Sequence, residues 1–126
     1  MHTKLVAGLS AGILGLSFVA TQALAHHGWA GQGQEDFTLK GTVAKDVSLS
    51  GPHATMQIKD EKGQVWDLTL APPARTKTAG LEEGLIPVGA EVTILGKRNM
   101  DAKKFEVKTE RVTYNGKNFD VYADRL

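Results

Sequence analysis

The chain has 126 residues, no cysteine, and 15 basic against 14 acidic residues. That length suits one small domain after a targeting segment is set aside. The absence of cysteine excludes disulfides, thiolate metal sites and cysteine catalysis, and the balanced charge argues against a nucleic-acid or membrane-surface partner recruited by bulk charge.

The chain opens with Met1-His2-Thr3-Lys4, followed by an uncharged apolar run from Leu5 to about Ala20 and then by Ala23-Leu24-Ala25. A short basic start, a hydrophobic segment and a small-x-small site together predict a bacterial secretory signal over residues 1–25. The run is rich in Gly, Ala and Ser and too short for a membrane span, which needs roughly 20 strongly apolar residues. Cleavage after Ala25 leaves 101 residues beginning at His26-His27. Lys4 is the only ionised residue in the leader, so the remainder carries 14 basic and 14 acidic residues. The expected location is periplasmic or secreted, with no membrane partner once the leader is removed.

Residues 26–35 (HHGWAGQGQE) hold three glycines and no periodicity, which predicts a flexible N-terminal arm with Trp29 as its anchor. Asp36 to Ser50 then alternates, with Phe37, Leu39, Gly41, Val43 and Val47 on one side; this is a long strand, bent or bulged near Gly41. Gly51-Pro52 punctuates. His53 to Asp60 alternates again through Ala54, Met56 and Ile58, and Gln64 to Leu70 through Trp66, Leu68 and Leu70. Glu61-Lys62-Gly63 joins the two as a hairpin. Pro72-Pro73 stops the sheet and suits the first turn of a short helix over Ala74 to Leu81, with Gly84 as its stop. Glu91 to Arg98, Lys104 to Tyr114 and, after the Asn115-Gly116 turn, Asn118 to Tyr122 read as further strands.

Five to six short strands with one helix between the third and fourth predict an all-β fold: a small OB-like Greek-key barrel over residues 36–126. Several of these residues also form a familiar set. His26-His27-Gly28-Trp29, Gly51-Pro52-His53, Trp66, the Pro72 to Arg75 helix start and Gly89-x-x-Val92-Thr93 recur in one pattern. In this the chain resembles a family of small exported bacterial proteins known only as a domain of unknown function, which open with His-His-Ser-Phe or similar and carry an Asn-Pro-His turn. Here Gly28-Trp29 stands for Ser-Phe and Gly51 for Asn. The resemblance implies an OB-like barrel and no known activity.

The candidate chemistry lies in the histidines. His26 at a new chain start offers an α-amine and an imidazole together; His27 and His53 add two more nitrogen donors. Such a set suits Cu(II), which nitrogen donors favour among the divalent ions, with Zn(II) second. Cleavage after Ala23 instead gives Leu24-Ala25-His26, a start with His at position three and also a copper-type chelate. For His53 the competing reading is a turn histidine bonded to backbone. Met56 reads as core rather than as a thioether ligand, and Met100 as an exposed turn residue. Trp29 either pins the arm or covers a cation. The acids Asp60, Glu61, Glu82, Glu83 and Asp101 read as solvated caps, and no serine has a positioned base, so no enzyme activity is expected. Lys97-Arg98 and Lys103-Lys104 read as a solvated rim, and the compartment argues against nucleic acid.

The leading expectation is an exported metal-binding protein, copper first and zinc second, using His26, His27 and His53. The runner-up is a metal-free periplasmic OB-fold module that binds a small ligand or a protein partner. An enzyme built on an N-terminal-His copper centre comes third.

Overall fold

A computed structural model describes residues 29–126. Gly31–Leu126 form one compact unit, and every element below belongs to it. The expected leader over residues 1–25, together with His26 and His27, lies outside the described residues.

The elements follow in the order β1 (Phe37–Ser48), β2 (Thr55–Lys59), β3 (Val65–Thr69), α1 (Pro73–Thr78), β4 (Glu91–Arg98), β5 (Glu106–Tyr114), β6 (Lys117–Asp120) and a 3-10 turn, Ala123–Arg125. The strands form one sheet in the order β3-β2-β1-β4-β5-β6. A parallel pairing of β3 with the start of β5, Asp67–Thr69 against Glu106–Lys108, closes β1 to β5 into a barrel. β6 adds an antiparallel strand on β5. This is the expected all-β barrel, with its one short helix between β3 and β4.

β1 makes closure possible by changing partners. Its residues Phe37–Thr42 pair with β4, and Thr42–Ser48 with β2. Two register shifts in the second half bend the strand. Gly41 lies at the changeover, and a Cβ there would collide with the Lys59 carbonyl. Glycine at that position is thus a condition of the crossing, as its place inside an alternating strand suggested.

The core is what the alternation promised. Val43, Met56, Ile58, Trp66, Leu68, Val92, Ile94, Val107 and Val112 are all buried. Leu70, Ala71, Thr76, Leu81 and Ile86 are buried around the β3–α1–β4 connection. Each such aliphatic side chain contributes about 1.5–3 kcal/mol when fully buried, and no disulfide supplements them. The helix is shorter than expected: it begins at Pro73, ends at Thr78, and Gly80, not Gly84, is the left-handed stop, at φ 101°. Thr76 Oγ1 donates to the Ala71 carbonyl at 2.8 Å, which ties the helix to the end of β3.

Residues 31–33 run beside the end of β4. Gln32 bridges Asn99, and the Gly33 amide donates to the Arg98 carbonyl.

Candidate functional site

His53 lies in the bend that follows Gly51 and Pro52, two residues ahead of β2. Gly51 has φ 87°, a left-handed conformation that glycine adopts freely and that asparagine tolerates better than most residues. This accounts for either residue serving at the head of such a turn. The next residue is fixed firmly: the Ala54 amide donates to the Ala71 carbonyl, and its own carbonyl accepts from the Leu70 amide. A half-buried imidazole is therefore carried just ahead of a rigid strand start. Its ring makes no hydrogen bond to the described residues, so the backbone-bonded reading of His53 finds no support there.

The surroundings of His53 are cationic. Burial first, and then the Lys108 ammonium, hold its pKa below the ordinary value. Below that value lies the charged form; the neutral imidazole, which is the form that binds metals, is favoured. Lys108 itself is only 4% exposed, and its pKa is lowered by burial and then by Arg125. Its Nζ lies 5.4 Å from the Tyr122 ring, whose other neighbour is the Arg75 guanidinium at 4.6 Å. Arg75 is ion-paired with Asp124. Among the described residues no group of three His, Cys, Asp or Glu side chains gathers to hold a metal ion. His53 supplies one donor; His26 and His27 lie outside the described residues.

The other sequence readings separate cleanly. Met56 is buried in the core and Met100 is 70% exposed. Asp60 caps the β2–β3 hairpin by accepting from the Lys62 and Gln64 amides, and its second oxygen accepts from the Trp66 indole N–H at 3.0 Å. Glu83 accepts from the Leu49 amide. The solvated-rim reading of Lys97-Arg98 is corrected. Arg98 lies over Trp66, Phe105 and Phe37 at 4.6, 5.6 and 5.8 Å from the ring centroids, and Lys97 pairs with Asp36 at 2.5 Å. Those three rings come from the starts of β1 and β3 and the loop before β5, so no local pattern brought them to Arg98. The rings also touch one another, Trp66 meeting Phe105 edge-on at 5.2 Å.

Concave surfaces lie at two further places on the barrel. A polar groove of about 450 Å³ lies where β1 changes partners, lined by Lys40, Thr42, Lys59, Glu91, Thr93 and Thr113 among others. A smaller hollow on the outer side of β2 and β3 is lined by residues such as Lys45, Gln57, Asp67 and Glu106, with no aromatic ring for a base to stack on.

The sequence reading missed one feature. Val107, Lys108, Thr109 and Glu110 are buried in succession, whereas a strand with one wet face alternates. Leu95 pairs with Arg111 and Gly96 with Thr109, which leaves Glu110 as an extra residue in a bulge. The signal was present: Val107 and Val112 are an odd number of residues apart, so a regular strand cannot turn both inward.

The chain belongs to a family of unknown function (DUF6152). The match covers residues 14–108 and ends within the closing β3–β5 pairing. No curated protein and no solved structure matches the chain.

Proposed function

We propose that this protein is an exported metal-binding protein of the periplasm or the extracellular space. It takes copper in preference to zinc, through the amine and imidazole of an N-terminal His26, with His27 and His53 as further donors. The role is carriage, buffering or sensing, and no reaction is assigned to it. The observation that carries the reading is His53: an imidazole biased to its neutral form, without a hydrogen bond among the described residues, just ahead of a fixed strand start. Nitrogen donors of this kind favour Cu(II) over the other first-row divalent ions. The Lys108 ammonium opposes a cation at His53, so the chain start holds the ion and His53 adds to it.

The test is a copper titration of three forms: the protein beginning at His26, the same protein with its α-amine acetylated, and His53→Ala. The expected order of affinity is unmodified, then His53→Ala, then the acetylated form. Equal affinity in the unmodified and acetylated forms, or no binding in either, defeats the N-terminal chelate.

The groove at the β1 changeover supports a second reading, a metal-free module that binds a small polar ligand or a protein partner. Its lining includes three threonines, two lysines, two glutamates and an aspartate, which offer hydrogen bonds and charges of both signs. Chemical-shift changes confined to Thr42, Thr93 and Thr113 on adding a ligand, with copper absent, favour this reading.

A further inference from the structure

Strand register sets the charges of the β1 groove in order. Lys59 of β2 and Glu91 of β4 both pair with Thr42 of β1, one on each side. Residues paired across antiparallel strands share a face, so Lys59, Thr42 and Glu91 form one row across three strands. Neighbouring strands lie about 4.7–4.9 Å apart, which puts the two charged residues about 10 Å apart at the backbone. Lys40 and Thr93 pair two residues further along and form the next row. All five line the groove. Gly41 separates the rows, and its missing side chain lets the Lys59 backbone cross this closely.

The polar groups of these rows are unengaged. Among the described residues Lys40, Lys59 and Glu91 form no ion pair, and the Thr42 and Thr93 hydroxyls make no hydrogen bond. Asp60, also in the lining, spends its carboxylate oxygens on the Lys62 and Gln64 amides and the Trp66 indole. Glu61 and Glu91 are left to balance Lys40 and Lys59, two acids against two bases. A site of no net charge gains little from a simple anion or cation, and complementarity favours a ligand that carries both signs.

Resting on the reading of this groove as a ligand site, we propose that it binds a small zwitterion with separated charges, of the dipeptide class. The carboxylate meets Lys59, the ammonium meets Glu91, and the amide between them lies over the Thr42 hydroxyl. An extended chain advances about 3.3–3.6 Å per residue, so a dipeptide spans roughly 7 Å. The flexible Lys59 and Glu91 side chains close the remainder. A free amino acid holds both charges on one carbon and cannot reach both ends. The groove volume of about 450 Å³ falls in the range of ligand sites, about 300–1,000 Å³.

The experiment titrates alanyl-alanine into the metal-free full-length protein and follows the Thr42, Glu91 and Thr93 amides by NMR. Free alanine and the N-acetyl dipeptide are the comparison probes. Alanyl-alanine is expected to shift these amides, and each comparison probe to bind about fivefold more weakly, the worth of one exposed charge pair. In Glu91→Gln the dipeptide and its N-acetyl form bind alike, because the ammonium has lost its partner. In Lys59→Gln the dipeptide and its C-terminal amide bind alike. Both substituted side chains are exposed, so the barrel does not depend on them. Equal binding of the three probes to the wild type, or a preference for the dipeptide that survives both substitutions, overturns the zwitterion and leaves the groove a ligand site. Shifts from none of the three overturn the zwitterion and the ligand-site reading together.

Discussion

Two regions of this barrel set polar and charged groups against the core, and they do so in opposite ways. At the Trp66 end, Asp60 accepts two backbone amides and the indole N–H, and Arg98 covers three aromatic rings and donates to the Ala102 carbonyl. At the bulge of β5, Thr109 and Glu110 each bury a side-chain oxygen that has no partner. A charge whose hydrogen bonds are satisfied fastens a structure. One left unsatisfied costs stability. The first region accordingly reads as scaffold and the second as a local weakness in it.

Substitutions sharpen this contrast. Trp66→Ala gives the largest effect: it removes the ring that Phe37, Phe105 and Arg98 all contact, and urea unfolding is expected to show a loss of about 3–5 kcal/mol. A loss under about 1 kcal/mol means that the aromatic end is not the scaffold. Asp60→Ala follows, with a lower melting temperature at neutral pH. The Trp66 hydrogen bond leads the causes that hold the Asp60 pKa below 3.8. Its contribution is therefore present above the unfolded pKa and fades as pH falls through the folded one. Melting curves of the wild type and Asp60→Ala that differ equally at pH 7 and well below pH 3 remove this half of the contrast.

Much of the barrel was legible because its strands alternate. Met56 with Ile58, Trp66 with Leu68 and Val92 with Ile94 each mark an inner face two residues apart, and Asn115-Gly116 makes the positive-φ turn expected of that pair. The helix stop was misplaced because two glycines compete for it, and the nearer one, Gly80, is where the chain turns. Arg98 was unreadable for a different reason: its cage is assembled from residues far apart in sequence. Glu110 was hidden by the bulge, since one extra residue reverses the face of everything after it. Of the candidate metal ligands, His53 lies in the bend two residues ahead of β2 rather than opening it, and its cationic neighbour Lys108 comes from β5, where no spacing rule announced it. His26 and His27 lie outside the described residues.

The proposed function rests on a histidine-led chain start that chelates a metal ion. Its most direct measurement is the intact mass of the exported protein under non-denaturing conditions, with and without a chelator. A polypeptide beginning at His26 that carries one copper, lost on chelation, is the expected result. A polypeptide beginning elsewhere without His near its start, or one whose mass the chelator leaves unchanged, contradicts it.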